Sequence, residues 1–426
     1  MKNVSLESRL PGGLTNDEIF AAIEQSLSER GDLQKILIVP PDITRFYSGA
    51  GMITRHIYSL LCGTCEIDIL PALGTHVPMT REEVAEMYGD IPFEHFIEHN
   101  WRDGIVKLGE VPADFVTEVS EGICTEAIDV EVNKLLLDPS YDLVISIGQV
   151  VPHEVVGMAN YSKNIFVGCG GRSMINSSHM LGAFYGMERL MGKDHSPVRK
   201  VFDYAEERFI QNIPLVYILT VVASYENEQN IYGIYIGRER RYFEQAVHLS
   251  TQKNIFFTDS PYEKVVVYLD EKEFKSTWIG NKAIYRTRMS IADGGELIIL
   301  APGIDKFGED GIIDELIRKY GYVGREKILA LAEGNADLKR NLSAAAHLIH
   351  GSSDSRFTIT YCTKHLSKQE VESAGYGYLP YDEAAARYDP NMLIEGVNTI
   401  EDGKRIYYIS NPALGLWADR SKFNMK

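Results

Sequence analysis

Cysteine and basic residues are scarce in this chain, and long apolar runs are missing. Five cysteines occur in 426 residues, an odd and sparse set that is typical of a reducing compartment and not of a disulfide framework. Lys and Arg number 43 against 60 Asp and Glu, for a net charge of −17. That charge argues against nucleic acid or an anionic membrane as partner, because no basic patch offsets the repulsion. The most apolar stretch, residues 213–223, is too short to span a bilayer.

The N-terminal segment also has no apolar stretch after Lys2, so we expect no secretory signal. A soluble, cytoplasmic protein is the prediction. Apolar residues at 45% and charged residues at 24% are typical of a globular chain. The length corresponds to two large domains or three small ones.

Apolar runs that favour strands alternate with helix-like stretches in the first half of the chain. The predicted strands are residues 35–39, 65–73 and 141–147, and the predicted helices are about 51–61 and 80–88. Thr80 followed by Glu83 is a capping box, which predicts the start of the second helix. Such alternation predicts an α/β fold with a mainly parallel sheet, whose functional loops gather at the carboxyl ends of the strands.

The same pattern restarts near Pro261. The predicted strands there are residues 264–269, 296–300, 357–361 and 405–409, with a helix at about 310–320. We therefore predict two α/β domains with mainly parallel sheets, residues 1–260 and 261–404. Residues of about 405–426 could return to complete the first. We expect the functional site to lie in the cleft between the two domains.

Several short motifs are weak indications. Cys62 and Cys65 have the spacing of a redox or half-zinc motif, but no second pair completes four ligands, and they lie where a helix gives way to a strand. The glycines of residues 168–171 do not follow the dinucleotide-binding order. His95 and His99 stand four apart beside glutamates, which favours a solvent-facing helix surface over a metal site.

Polar residues suited to catalysis follow the predicted strand ends. They are Asp42, Arg45, His76, His153, Lys163 and His179. Each alone has an ordinary structural explanation, such as a helix cap for Asp42, a turn for His76 or a surface position for Lys163. Together they are harder to explain in this way, because a parallel sheet brings such loops to one edge.

The motifs around these residues resemble the nickel-dependent lactate racemase family. They are Pro41-Asp-x-Thr-Arg45, Ala72-Leu-Gly-Thr-His76, Pro152-His153 with a lysine ten residues later, and Asn176-x-x-His179. The resemblance covers nearly the whole chain. Members of this family use a nickel-pincer nucleotide, a pyridinium-3,5-bisthiocarboxylic acid mononucleotide whose two sulfur atoms and one carbon hold Ni.

The resemblance implies a role for each residue near the cofactor. Lys163 resembles the lysine that tethers the cofactor covalently through a thioacyl arm, and His179 resembles the histidine that completes the nickel coordination. One imidazole beside soft sulfur suits square-planar Ni(II). Asp42 matches a residue that lines the same pocket. Residues 157–163 depart from the family, because they hold one glycine where the family segment is glycine-rich.

The resemblance also implies a reaction. His76 and His153 correspond to two acid/base histidines that flank the metal, and Arg45 is suited to a bidentate contact with a substrate carboxylate. One histidine takes the hydroxyl proton of a 2-hydroxy acid while hydride leaves C2 for the cofactor. Return of the hydride to the other face, with a proton from the second histidine, inverts C2.

In the second domain, the family pattern Tyr-Gln-x-x-Lys reads Tyr285-Arg-Thr-Arg-Met289, with methionine in place of the lysine. On a strand, Arg286 and Arg288 would share one face and could both contact substrate together with Tyr285. Two guanidiniums and a phenol suit hydroxyls or a second carboxylate better than a methyl group. The alternative is that the arginines pair with nearby acids such as Asp293 or Glu296.

The sequence therefore predicts an isomerase, a racemase or epimerase that inverts C2 of a 2-hydroxy carboxylate, with an aldonate ahead of lactate or malate as substrate. Its other expected partners are the enzymes that make the cofactor. One alternative is a lactate or malate racemase of the same mechanism. Another is a two-base racemase with Mg, for which we find no clustered carboxylates, and a third is a non-catalytic homologue that binds a metal or a sugar acid.

Overall fold

A computed structural model describes residues 2–226, 228–400, 403–413 and 415–424. The chain divides into two compact units. The first consists of Met1–Tyr185 and Leu190–Asn254, and the second of Gly186–Arg189 and Ile255–Lys426. No helix in the described ranges is long and apolar enough to cross a membrane.

The first unit contains ten strands and seven complete helices. The strands are β1 (Val4–Glu7), β2 (Lys35–Val39), β3 (Glu66–Ile69), β4 (Ile105–Val111), β5 (Ile128–Asn133), β6 (Leu143–Gln149), β7 (Pro152–His153), β8 (Gly157–Met158), β9 (Leu215–Tyr225) and β10 (Glu228–Gly237). The helices are α1 (Asn16–Leu27), α2 (Ala50–Leu61), α3 (Arg81–Tyr88), α4 (Ala113–Val119), α5 (Arg172–Tyr185), α7 (Pro197–Phe209) and α8 (Arg240–Asn254), and α6 (Met187–Leu190) shares its residues with the second unit. Short 3-10 helices lie at Ile43–Ser48, Phe93–His95 and Lys134–Leu137, and a π-helix at Asn164–Gly168.

Six of these strands form the main sheet of the first unit, in the order β1-β10-β9-β6-β2-β3. Its middle is parallel, since β6 pairs parallel with β9 and β2, and β2 with β3. The strand β6 is buried at every position, as expected for a parallel strand that helices cover on both faces. The apolar stretch of residues 213–223 contributes the buried strand β9. The carboxyl ends of β2, β3 and β6 lead into the loops that carry Asp42, His76 and His153.

The second unit is a separate α/β structure. Its strands are β11 (Ile255–Thr258), β12 (Tyr262–Tyr268), β13 (Ile291–Ala301), β14 (Thr358–Thr363), β15 (Gly377–Pro380), β16 (Gly396–Thr399), β17 (Arg405–Ile409) and β18 (Leu416–Asp419). Its helices are α9 (Thr277–Gly280), α10 (Lys282–Tyr285), α11 (Gly311–Tyr320), α12 (Arg325–Gly334), α13 (Ala336–Arg340), α14 (Leu342–His350), α15 (Lys368–Ser373), α16 (Tyr381–Arg387) and α17 (Arg420–Asn424). The sheet order is β15-β14-β13-β12-β17-β16, and only the β16–β17 pair is antiparallel.

The predicted fold class is confirmed, because both main sheets are mainly parallel and alternate with helices. The capping box of α3 is present, with the Thr80 hydroxyl accepting from the Glu83 N–H and the Glu83 carboxylate accepting from the Thr80 N–H. Strands β17 and β18 lie within the second unit. All five cysteines are free.

Candidate functional site

Asp42 and His76 form a hydrogen-bonded pair just beyond β2. Asp42 caps the 3-10 helix Ile43–Ser48, with Oδ1 accepting from the Thr44 N–H at 3.2 Å. Its Oδ2 lies 2.6 Å from His76 Nδ1. The carboxylate holds a proton on Nδ1 and leaves Nε2 of His76 with a lone pair. Burial is the largest single influence on the pKa of Asp42 and raises it, but the hydrogen bond and charge of His76, the Thr44 hydroxyl and the charge of Arg45 together outweigh burial, so the pKa lies below its usual value.

His153 has the opposite arrangement of ring protons. It lies in the small hairpin of β7 and β8 that follows β6, and its Nδ1 accepts the Val155 N–H at 3.1 Å. A neutral ring in this position therefore carries its proton on Nε2. Burial holds the pKa of His153 well below the usual value, although Glu154 opposes the shift. His153 thus offers a hydrogen-bond donor where His76 offers an acceptor.

Lys163 immediately precedes the π-helix Asn164–Gly168. Part of its surface reaches solvent, but it lies deep among protein atoms, and this burial lowers its pKa to about 8, with the charge of Arg45 acting in the same direction. Within the described ranges, Lys163 Nζ makes no hydrogen bond or ion pair, and neither does the Arg45 guanidinium. A lysine with this pKa is partly unprotonated near neutral pH, and the unprotonated amine is a nucleophile.

His179 lies on α5, and its Nδ1 donates to the Ile175 carbonyl one turn earlier at 2.7 Å. This bond leaves the lone pair on Nε2, an arrangement that is also usual for a histidine ligand whose other nitrogen is fixed. Burial lowers the pKa of His179 to about 4, so the ring is neutral at physiological pH. At Gly182 on the same helix, a Cβ would lie 2.6 Å from the Val155 carbonyl oxygen, and α5 therefore packs closely against the loop of His153.

Backbone and amide contacts tie these loops together. The Asn164 side-chain amide donates to the Val39 carbonyl at 3.2 Å and to the Ser146 hydroxyl at 2.9 Å. These bonds join the π-helix to the end of β2 and to the middle of β6. The Gly74 N–H donates to the Gly168 carbonyl at 2.8 Å, which joins the loop of His76 to the other end of that helix.

The six residues that the sequence predicted in this unit lie in one electrostatic neighbourhood. Arg45 and Asp42 act on the pKa of Lys163, and Lys163 and His76 act on that of His179. His153 in turn responds to Lys163, Arg45 and His179. The arrangement can hold an electrophile at an amine, a metal at an imidazole, and a carboxylate at a guanidinium.

The strand predicted around Tyr285 is wrong. Tyr285 ends α10, and the chain continues in helical turns, with the Arg286 N–H donating to Lys282 and the Arg288 N–H donating to Ile284. Both arginines are buried, at 1% and 5% exposure. They therefore do not share the face of a strand, because β13 begins only at Ile291.

The two arginines bond within the second unit. Arg286 Nη1 donates to the Gly415 carbonyl at 3.0 Å. Arg288 pairs with Glu188 at 2.7 Å and with Asp354 at 3.2 Å. The alternative prediction that the arginines pair with acids is thus correct for Arg288, but its partners are not the predicted ones. Asp293 pairs with Arg356, and Glu296 pairs with Lys264.

Lys282 was missed in the sequence. The spacing that the family resemblance requires, an aromatic residue with lysine four positions later, recurs at Trp278 and Lys282. Lys282 begins α10 and is half-buried, with Nζ 5.7 Å from the centre of the Phe274 ring. This segment keeps the lysine spacing of the family pattern, but tryptophan stands in place of tyrosine. The Tyr285-Arg286 segment matches the tyrosine of the pattern and lacks its lysine.

The other histidine pair is structural, so the prediction of a solvent-facing surface is wrong. His95 is hydrogen-bonded to Tyr58 at 3.0 Å and to the Ile67 carbonyl at 2.8 Å. His99 is 2% exposed and contacts the Gly170 carbonyl at 3.1 Å. In the part of the chain that the structure describes, no group of three or more His, Cys, Asp or Glu side chains could hold a metal ion.

Comparison with known proteins gives three findings. Residues 20–190 match the family model of the lactate racemase N-terminal domain. No curated protein sequence matches the chain significantly. Among solved structures, a crystal structure of a Thermotoga maritima protein superposes with a TM-score of 0.81 at 25% identity, over 97% of this chain and 99% of that one. The lactate racemase apoprotein of Thermoanaerobacterium thermosaccharolyticum superposes with a TM-score of 0.68 at 16% identity, over 95% and 89% of the two chains, which is a likeness of fold.

Proposed function

We propose that this chain, whose residues 20–190 match the family model of the lactate racemase N-terminal domain, inverts C2 of a 2-hydroxy carboxylate by proton-coupled hydride transfer. The family indicates a racemase or epimerase that acts on a hydroxy acid. The observation that carries the finer proposal is the cluster of the first unit. There Lys163, His179 and the Asp42–His76 pair interact electrostatically, and a hydrogen bond orients the ring of each of these two histidines.

The residues fit a nickel-pincer nucleotide. Lys163 supplies an amine that is partly unprotonated near neutral pH and is free to be acylated. His179 supplies a single neutral imidazole whose Nε2 is left by the Ile175 bond, as a square-planar metal with three other donors requires. When bound, this group supplies a carbon centre that accepts and returns hydride. We propose that Lys163 holds the group covalently and that His179 ligates its nickel.

The two other histidines then handle the hydroxyl proton. His76 takes it at Nε2, and Asp42 keeps the ring oriented and stabilises the positive charge that forms, as a carboxylate partner does for a histidine base. His153 begins as the donor, with its proton on Nε2, and serves the opposite face. Arg45, whose guanidinium has no partner in the described ranges, pairs with the substrate carboxylate.

The substrate beyond C2 remains a proposal with two candidates. An aldonate was favoured because of Arg286 and Arg288, but the second unit uses both guanidiniums in its own hydrogen bonds. This burial of the arginines favours lactate or malate as the second candidate.

Intact mass tests the tether, and a substrate panel tests the reaction. Protein co-expressed with cofactor-making enzymes should gain the mass of one nucleotide adduct on Lys163, and Lys163→Ala should lose it. The loaded enzyme is then assayed for C2 inversion of gluconate, mannonate, lactate and malate. An adduct on another lysine would overturn the tether, and a loaded enzyme inactive on all 2-hydroxy acids would overturn the reaction.

His179→Ala tests the metal ligand. Loss of the only imidazole proposed for nickel should reduce nickel retained after gel filtration by about tenfold or more, while the Lys163 adduct persists. His248→Ala is the matched control, because His248 is exposed and bonds to Gln252. Equal nickel content in the two variants would remove His179 from the coordination sphere.

A further inference from the structure

The backbone just before Lys163 has an unusual conformation. Asn160 and Tyr161 both have positive φ, 64° and 56°, a region that side chains other than glycine rarely enter. The Asn160 side chain fits only because residue 148 is glycine. A Cβ at residue 148 would lie 1.9 Å from the side-chain nitrogen Nδ2 of Asn160. A glycine-rich segment would adopt this path unaided, but residues 157–163 hold a single glycine. Other groups must hold the path here.

Arg199 on α7 makes the bonds that hold it. Its Nη1 donates to the Ser162 hydroxyl at 2.7 Å, and its Nη2 donates to the Met158 carbonyl at 2.6 Å and to the Asn160 carbonyl at 3.1 Å. The side chain is 0% exposed. The rigid planar fork of a guanidinium can bond to several points along a bent backbone, which an ammonium cannot do with fixed geometry.

Aromatic rings support the same guanidinium. Arg199 lies 4.5 Å from the centre of the Phe243 ring, and the Tyr161 ring stacks on Phe243 at 5.0 Å. The Tyr161 hydroxyl donates to the Arg238 carbonyl at 3.1 Å. Burial lowers the pKa of Arg199 to about 10, so the group stays charged at neutral pH and a buried cation is stabilised by the rings.

We propose that Arg199 is the positioning residue of the cofactor tether, holding residues 158–162 in the path that presents the Lys163 amine for acylation. This inference rests on the proposed role of Lys163 and adds a residue that touches neither substrate nor metal. Arg199 also helps to set the reactivity of the amine. After burial and Arg45, its charge is among the causes that lower the pKa of Lys163.

The test measures Lys163 in the cofactor-free protein with acetic anhydride. The unprotonated amine attacks one carbonyl carbon, the C–N bond forms, acetate leaves, and the nitrogen loses its proton to solvent. The rate is read by peptide mass relative to the exposed Lys272 over about pH 6 to 10, a range that extends to both sides of the Lys163 pKa of about 8. Arg199→Lys keeps the charge but loses the fork, and we expect it to slow Lys163 acetylation about tenfold and to alter its pH profile relative to Lys272.

Arg208→Lys is the matched control, because Arg208 is exposed on the same helix. It should label as the wild type does. Asn160→Gly placed in the Arg199→Lys protein should restore part of the rate, since glycine takes positive φ without support. Ser162→Ala removes one of the three bonds and should slow labelling by about threefold, within the spread of single hydrogen bonds. This variant decides the question if Arg199→Lys does not fold.

The outcomes separate the two proposals. If Lys163 is acetylated at the wild-type rate in both Arg199→Lys and Ser162→Ala, the positioning role is overturned. This holds even where the wild-type protein takes up the cofactor at Lys163. Slowed labelling with rescue by Asn160→Gly supports the positioning role. If the wild type then shows no nucleotide adduct at Lys163, the tether is wrong, and what stands is only that Arg199 positions the Lys163 amine.

Discussion

At the scale of single residues, hydrogen bonds select the tautomers of three neighbouring histidines. His76 and His179 carry the ring proton on Nδ1, and His153 carries it on Nε2. A carboxylate fixes the ring of His76, a backbone N–H fixes that of His153, and a backbone carbonyl fixes that of His179. Each neighbour selects one tautomer, and the tautomer decides whether the other nitrogen can accept a proton, donate one or bind a metal. The chemistry of the site therefore depends on these partners as much as on the imidazoles.

Asp42→Asn tests this dependence. The Asn oxygen can still cap the 3-10 helix, but its NH₂ group would face His76 Nδ1 and drive the ring proton to Nε2, so that the base is lost. We expect kcat of the loaded enzyme to fall by at least about a hundredfold with little change in KM, since tautomer loss in a carboxylate–histidine pair has effects of this size or larger.

The control for this variant is Asp138→Asn. Asp138 is also a turn carboxylate, accepting from the Ser140 N–H at 2.9 Å, and its charge acts on Tyr141. Both variants should show the thermal unfolding of the wild type. Unchanged kcat in Asp42→Asn would show that Asp42 does not select the tautomer of a base.

At the scale of elements, local pattern predicted most strands but failed where contacts join distant segments. The runs at 35–39, 264–269 and 405–409 are strands as predicted, because apolar runs bounded by turns carry that information locally. The Arg-Thr-Arg segment alternates like a strand, yet Ser276 caps α9 and helical turns continue through Arg288. Its ion pair with Glu188 spans 100 residues, and no local pattern reveals such a partner.

Arg288→Gln tests the structural role of this residue. Removing this buried cation takes one ion-pair partner from Glu188, which keeps Arg356, and one from Asp354, and loss of one member of a buried pair destabilises by about 3 kcal/mol or more. Urea unfolding should show this loss, with KM for the substrate unchanged. Arg318→Gln is the control, because its pairs with Asp314 and Glu370 are more exposed and contribute only about 0–1 kcal/mol. Equal stability of both variants, with a raised KM for Arg288→Gln alone, would return Arg288 to the substrate site.

At the scale of the whole molecule, the cluster holds two cations beside the carboxylates of Asp42 and Glu154, within a chain of net charge −17. Arg45 and Lys163 supply the positive charge near the histidines. Salt screens charges beyond about 8–10 Å. The net negative charge of the chain therefore acts weakly on a substrate carboxylate that has reached the cluster. Burial of neutral imidazoles also makes the stability of the chain depend on pH. The buried rings resist protonation in the folded chain, whereas the same rings accept protons in the unfolded chain.

The last prediction is therefore a loss of stability in mild acid. Burial is the first cause that lowers the pKa of His99 and of His179 to about 4, whereas unfolded histidine titrates near about 6.5. Between these values the unfolded chain binds protons that the folded chain does not, so the free energy of unfolding falls as the pH drops from about 6.5 to about 4, by up to about 1.4 kcal/mol per pH unit for each group.

Glu206 opposes this loss of stability, because burial raises its pKa to about 7 and its folded carboxyl keeps a proton that the unfolded one releases. Two histidines against one glutamate leave a net loss. Urea unfolding at several pH values should show it, and His99→Gln, whose amide can keep the bonds to Gly170 and Asn133, should reduce the slope by one proton. The exposed His248→Gln should leave the slope unchanged, and an unchanged slope in His99→Gln would show that His99 is not neutral in the folded chain.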